Sequence, residues 1–539
     1  MANLLPDWTQ FTLKEQIGQM IVVRASGYLF DHQIRYPVWE VSNPILHHWL
    51  DTLNLGGVIL LGGSAGELLL RTQQLQEWSQ TPLFIAADIE EGVGQRFSGA
   101  TWFPPPMALG EIAKNDLDLG ISYAYEMGKV TAQEALSIGI NWILTPVVDV
   151  NNNPDNPVIN IRSFGDSPNI VSPLVTAFIE GAKSYPALTT AKHFPGHGDT
   201  VSDSHLNLPI INHDNERLES LELMPFKAAI EANVDSVMTA HLLINAWDNE
   251  NPATLSKAIL TGKLREKLGF EGLIVTDALV MGGVANFADA EEVAVKAVEA
   301  GADVLLMPDN PEKAINAVYD AVESGRLTRE RIEASVNRIW QAKQKIFNQE
   351  KPDLSIYQLS QPTARQTVKN ILKYSLKTNN KTIEKAAYNT PKRNLIVVDD
   401  LLNADFLDRQ MPGVIIPKYL GYDLQLVDQN TLDNVLEDNR STLLQIFLRG
   451  NPFRGSAGFN ENSKKFYHNL LKKSTVHGLI IYGSPYILDW FKTQINDELS
   501  WVFAYGQMAE SQAIACQILF NLSASELGNI SQSLGDVFI

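Results

Sequence analysis

The chain has 539 residues, with 43 Lys and Arg against 62 Asp and Glu, for a formal net charge of −19. That length exceeds one ordinary domain, and that charge argues against nucleic acid or an anionic membrane surface as the main partner. Cys516 is the one cysteine, which excludes an internal disulfide framework and any cysteine-based metal cluster.

Short apolar runs alternate with amphipathic helical stretches over the first part of the chain. Eight runs read as strands: residues 20–24, 58–61, 83–88, 142–149, 188–192, 236–241, 273–277 and 304–307. Several are near-continuously apolar, the signature of parallel strands buried on both faces. Helical patterns fall between them at residues 115–139, 168–184, 215–232 and 291–300. Eight strand–helix repeats fit a (β/α)8 TIM-type barrel. A doubly wound sheet is the alternative, but no dinucleotide-binding loop supports it. The helix 329–346 closes this part, so the barrel is assigned to residues 1–346.

Residues 347–393 are polar and read as a linker with one helix near 363–376. A smaller α/β sandwich domain follows at 394–539, with strands expected at 395–398, 413–416, 425–428, 443–447, 478–482 and 501–505. The N-terminus lacks the basic and apolar segments of a signal peptide. No run approaches the roughly 18 apolar residues of a membrane span. The expectation is a cytoplasmic protein that contacts no membrane.

The densest chemistry lies in residues 192–205. Three of the ten histidines of the chain, His193, His197 and His205, share this stretch with Lys192, Asp199 and Asp203. Pro195, Gly196 and Gly198 rule out a helix, so it is a loop at a strand end, where barrel enzymes place reactive groups. The other strand ends carry Arg24, Gly62, Asp88, Asp149, His241, Asp277 and Pro308. Ionisable side chains dominate that rim, although some would serve equally as helix caps or surface charges. A carboxylate placed like Asp277 can attack an electrophilic carbon or hold a cation. Asp203 and His205 are two apart, so an extended segment points both to one side, and Asp can fix the imidazole tautomer. The same two could also be solvated loop side chains. Lys192, Arg162 and Arg96 suit sugar hydroxyls or an anionic group.

A catalytic metal is not expected. His193 and His197 are four apart, but Pro195 and Gly196 between them prevent a shared helical face. The first strand ends at Arg24 without the His-x-His pair of metal-dependent barrels. No phosphate-binding Gly-x-x-x-x-Gly-Lys pattern occurs, and no organic cofactor is implied.

Seven segments, in order, resemble glycoside hydrolase family 3, and within it the bacterial β-N-acetylglucosaminidases. They are residues 13–20, 88–96, 145–151, 156–165, 192–205, 252–256 and 269–277. The resemblance implies that Asp277 is the nucleophile and that His205, paired with Asp203, is the acid/base. It further implies that Asp88, Arg96, Arg162, Lys192 and His193 grip the sugar. The second domain resembles the α/β sandwich domain common in that family. The implied partner is a small glycan carrying terminal β-linked N-acetylglucosamine, plausibly a peptidoglycan fragment. A β-glucosidase or β-xylosidase of the same family and a β-N-acetylglucosaminide phosphorylase remain alternatives, and a non-catalytic sugar-binding protein is disfavoured because the reactive groups are all present. The chain departs from the family pattern at Glu91 and Gly94, where a Gly and a Val are usual, and at Ala278, where a second Asp is usual.

Overall fold

Each of the eight apolar runs in the first part overlaps a parallel strand, and together the strands close a ring. They are β1 (Ile21–Ser26), β2 (Gly57–Leu61), β3 (Phe84–Ala87), β4 (Trp142–Ile143), β5 (Thr190–Phe194), β6 (Ser236–Thr239), β7 (Leu273–Val275) and β8 (Leu305–Leu306). The computed structural model describes residues 5–200, 208–348, 354–383, 391–435, 440–449, 459–473 and 475–533. β1 pairs with both β2 and β8, and β3 bridges β2 and β4. β6 lies between β5 and β7. Bridges Trp142↔Leu188 and Val147↔Lys192 join β4 to β5, and Val275↔Val304 joins β7 to β8. The (β/α)8 barrel expected from the sequence is therefore present.

Local chemistry explains the helices around it. The side chain of Asp116 accepts from the Leu119 N–H and starts the helix Leu117–Ser137. Thr328 does the same for Arg329–Phe347 through the Arg331 N–H. Inside the ring, the Trp142 indole donates to Thr190 Oγ1 at 2.9 Å and Ser236 Oγ at 3.0 Å. Its ring lies 5.1 Å from that of Phe84. Lys343, fully buried, reaches the same Phe84 ring at 5.2 Å and donates to Gln19 Oε1 at 2.7 Å.

The second part holds a six-stranded sheet. Its strands are β9 (Lys377–Thr378), β10 (Lys392–Val398), β11 (Tyr422–Asp428), β12 (Ser441–Leu448), β13 (Val476–Gly483) and β14 (Ser500–Ala504), in the spatial order β9-β14-β13-β12-β10-β11. All pair in parallel except β9, which runs antiparallel to β14. Leu395 and Val397 face an apolar cluster continuous with the barrel core, whereas Ile396 and Val398 face a separate one under Pro412–Tyr419 and Ala509–Leu519. Helices thus cover both faces, as a sandwich domain requires.

Residues 413–416, read as a strand, are instead part of the helix Pro412–Tyr419. Four consecutive apolar residues have no period that separates strand from helix. Pro412 at the first turn starts the helix. Gln512 Oε1 accepts from the Gly413 N–H at 3.0 Å and fixes that start against the helix Ala509–Leu519.

Several polar contacts tie the second sheet to the barrel. Asn151 Nδ2 donates to the Tyr486 hydroxyl at 2.7 Å, and Ser484 Oγ donates to Asn160 Oδ1 at 3.1 Å. Lys377 Nζ lies 2.9 Å from Glu111 Oε1. Glu134, buried in the barrel, accepts from Thr101 N at 2.8 Å, Thr101 Oγ1 at 2.6 Å and Ser360 N at 2.7 Å. Among the described residues, no helix is long and apolar enough to cross a membrane.

Candidate active site

Three strand ends converge on one cleft of about 1230 Å³ at the barrel mouth. Asp88 follows β3, Lys192 and His193 lie in the second half of β5, and Asp277 follows β7. All four line it, together with Arg96 and Arg162. These are the described members of the residue set expected from sequence. Asp203 and His205 lie outside the described residues.

Lys192 is the centre of the charge network. Its Nζ lies 2.6 Å from Asp88 Oδ1 and 2.7 Å from Glu90 Oε1. Glu90 in turn receives Arg162 two-pronged, with Nε to Oε2 at 2.8 Å and Nη2 to Oε1 at 2.7 Å. Two buried cations are matched by two carboxylates, which satisfies the rule that buried charges are paired. The Lys192 and Glu90 side chains are only 2 % and 4 % exposed, whereas that of Asp88 is 37 % exposed. Asp88 is therefore the member that presents its carboxylate to the cleft.

The titration behaviour follows from this packing. Burial alone would raise the pKa of Glu90, but Arg162 and Lys192 together hold it well below the usual carboxylate range. Burial alone would lower that of Lys192, and Asp88 with Glu90 raises it instead. Arg162 is likewise raised by Glu90 against the effect of burial. Its Nη1 also donates to the Val158 carbonyl at 3.0 Å.

His193 is set by Asp149. The two atoms His193 Nδ1 and Asp149 Oδ2 are 2.8 Å apart, and the His193 N–H reaches the same oxygen at 3.2 Å. Assigning the proton to Nδ1 leaves Nε2 as the acceptor facing Arg162 Nη2 at 3.4 Å. Asp149 Oδ1 accepts from the His197 N–H at 2.6 Å. Burial would raise the Asp149 pKa, but His193 and His197 lower it overall.

The loop beyond β5 is pinned by its own polar groups. His197 Nδ1 meets Thr200 Oγ1 at 2.7 Å, and Asn156 Nδ2 donates to the His197 carbonyl at 2.7 Å. Burial pushes the His197 imidazole down to about 4 despite Asp149, so it is neutral at ordinary pH. Gly198 packs against the Val150 carbonyl, where any Cβ would overlap it. Asp199 Oδ2 lies 2.7 Å from His213 Nε2. Ligand atoms of Asp199, His213 and Glu222 fall within 4.8 Å of one another. The Arg217 guanidinium sits among them, 2.7 Å from Glu222 and 3.5 Å from Asp199, and supplies the positive charge itself.

Around Asp277, the Ala278 N–H donates to Asp277 Oδ1 at 2.7 Å. The Ala278 carbonyl lies 3.0 Å from His241 Nε2, and His241 is wholly buried. His241, the ionisable strand end before Asp277, therefore steadies the backbone next to it. Arg96, on the 88–96 loop, donates through Nε to the Asp88 carbonyl at 3.1 Å.

Glu90 and Glu91 carry weight that sequence reading did not assign. Glu91 is buried and accepts from Trp102 Nε1 at 2.9 Å. It also pairs with Arg449, which follows β12, through Nη1 at 3.2 Å and through Nη2. A signal for Glu90 was available: two cations expected in one barrel mouth need more counter-charge than Asp88 provides. Gly94 is explained as well, because a Cβ there would overlap the Ala100 carbonyl.

A (β/α)8 barrel with such a mouth is an enzyme architecture, and comparison with known proteins gives its class. Residues 12–342 match the glycosyl hydrolase family 3 N terminal domain, and residues 385–521 match the bacterial glycosyl hydrolase family 3 C-terminal domain. The chain belongs to glycosyl hydrolase family 3. It is 35% identical over 334 residues to "Beta-hexosaminidase A" of Pseudoalteromonas piscicida, covering 56% of this chain and 55% of that protein. The match thus spans about half the length of that relative. A "Beta-hexosaminidase" of Nitrosomonas eutropha is 33% identical over 297 residues, covering 53% of this chain and 85% of that one. Among solved structures, a glycoside hydrolase family 3 β-N-acetylglucosaminidase from Paenibacillus sp. str. FPU-7 superposes with a TM-score of 0.76 at 28% identity, covering 95% of this chain and 97% of that one.

Proposed function

We propose that the chain is a retaining, exo-acting β-N-acetylglucosaminidase that releases terminal β-linked N-acetylglucosamine. The observation that carries this reading is that Asp277 lines the same cleft as Asp88, Arg96, Lys192 and His193. The names of the relatives, two β-hexosaminidases and a β-N-acetylglucosaminidase, point to the same sugar. Residues 1–346 act as the catalytic barrel, 347–393 as its connector and 394–539 as the second domain.

In the first step Asp277 attacks the anomeric carbon while His205, steadied by Asp203, protonates the leaving oxygen. The glycosyl group is then carried on Asp277. In the second step His205 takes a proton from water, which attacks the same carbon and frees Asp277 with net retention. Asp88, Arg96 and His193 hold the sugar, and Lys192 and Arg162 fix Asp88 and Glu90 around it. The exposed carboxylate of Asp88 suits adjacent hydroxyls, while Lys192 at 2.6 Å offsets its charge. The residues need neither a metal nor an organic cofactor for these steps. Peptidoglycan fragments are the substrate source this reading favours.

After giving up its proton His205 is neutral, where a carboxylate would be anionic and repel anions. Phosphate is therefore a competing acceptor, and its product would be a sugar 1-phosphate. The deciding experiment is product analysis with aryl β-N-acetylglucosaminide, β-glucoside and β-xyloside, each with and without phosphate. Faster cleavage of the glucoside or xyloside would overturn the sugar assignment. Retained turnover in Asp277→Ala would remove the nucleophile.

A further inference from the structure

Glu91 and Arg449 meet across the two sheets, 358 residues apart in sequence. Glu91 adjoins Glu90 on the loop that also carries Asp88 and Arg96. Its side chain is 1 % exposed, so its carboxylate has little water to stabilise it. Trp102 Nε1 supplies one hydrogen bond at 2.9 Å, and the only full positive charge recorded on it among the described residues is that of Arg449. The rest of the loop is closely tied. The Glu91 N–H donates to Gln95 Oε1 at 3.0 Å, and its carbonyl accepts from Phe103 N at 2.7 Å. A shift of Glu91 would therefore move Glu90, and Glu90 holds both Lys192 and Arg162.

We propose that Arg449 is a positioning residue, through which the second domain holds the 88–96 loop in its sugar-binding geometry by clamping Glu91. Arg449 follows β12, so the place of that strand sets the place of the loop. The guanidinium engages the carboxylate with two nitrogens, which fixes orientation as well as distance. Burial would lower the pKa of Arg449, yet Glu91 raises it, as expected for a committed pair. Without Arg449, an uncompensated carboxylate would stand beside Glu90, and the loop would have to open to hydrate it.

The test is a cycle of R449M, E91Q and the double variant, assayed on whichever aryl β-glycoside the wild type cleaves best. R449M is expected to lose on the order of 10- to 100-fold in kcat/KM, chiefly through KM, since a displaced binding group costs this much. E91Q keeps an acceptor for Trp102 and removes the charge, so the double variant is expected to regain most of the loss. A wild-type KM in R449M overturns the proposal. An equal loss in R449M and the double variant also overturns it, since Arg449 would then touch the substrate itself. Should R449M not fold, R449K keeps the charge without the two-pronged contact, and a wild-type KM in R449K overturns the proposal equally. The proposal rests on the glycosidase reading of the loop: an inactive wild type removes both, whereas an active wild type with an unaffected R449M removes the proposal alone.

Discussion

His193 Nδ1 lies 2.8 Å from Asp149 Oδ2, and the Asp149 side chain is fully buried at 0 % exposure. One carboxylate therefore fixes the tautomer of a ring in the cleft and, through its other oxygen, the turn at His197. It is a support that touches two parts of the site at once.

Asp149→Asn removes the charge and turns one of those two acceptors into a donor. The expected result is a fall in kcat/KM on the order of 100-fold, since a misaimed binding ring costs about this much. The Asp149 pKa is depressed, so its contribution to stability is present above the unfolded value near 3.9 and lost as pH falls through the folded value. Denaturant titrations from pH 2 to pH 6, an interval chosen to be about two units either side of that value, are expected to show a shallower acid slope in the variant.

Glu90→Gln leaves Lys192 and Arg162 with one carboxylate fewer in a buried site. The expected destabilisation is about 3 kcal/mol, the usual cost of breaking a buried pair from one side. KM is expected to rise as well, because Lys192 and Arg162 lose their common anchor. Burial raises the Glu90 pKa, but the two cations depress it further, so its contribution holds above the unfolded value near 4.3 and fades as pH falls through the folded one. Equilibrium unfolding with parallel steady-state kinetics checks both parts.

Lys343 gives a pH slope of the same sign, but through a penalty rather than a stabilisation. Burial lowers it to about 7, against about 10.4 in an unfolded chain. Between those values the unfolded state binds more protons, so this group makes stability rise with pH, and below about 7 its full penalty persists. Lys343→Met keeps the packing on Phe84 and Trp340. It is expected to flatten the slope and to be the more stable protein at low pH, by up to roughly 4 kcal/mol before the lost Gln19 hydrogen bond is subtracted. Chemical denaturation at pH values on both sides of that window measures the difference.

Gly94→Val restores the usual family residue, and here it is expected to be harmful. Its Cβ would overlap the Ala100 carbonyl, so the loop must shift or the chain must strain by about 1–3 kcal/mol. A lower melting temperature together with a raised KM is the expected signature.

The barrel was legible because buried parallel strands write themselves as unbroken apolar runs, from 20–24 through 304–307. The same rule failed at 413–416, where four apolar residues fit either element and only the contacts of Gly413 with Gln512 decide. Asp88, Lys192, His193 and Asp277 were legible as ionisable groups at strand ends. Asp149 was visible there too, but its service to His193 was not, since that needs the spacing of β4 and β5. Glu91 read only as a departure from a pattern, because its partner Arg449 belongs to another sheet. Asp203 and His205 stand on the sequence alone.

Glu134 binds Thr101 and Ser360 with the same carboxylate, and the Ser355 N–H donates to the Ser137 carbonyl at 3.0 Å. Ser355 and Ser360, beyond the last barrel helix, are thus bonded into the barrel's wall. A chimera built from this barrel has to carry its own chain through at least Ser360. A splice at Phe347 would strip a donor from a buried carboxylate at the root of the 88–103 segment, and the graft would arrive with that segment loosened.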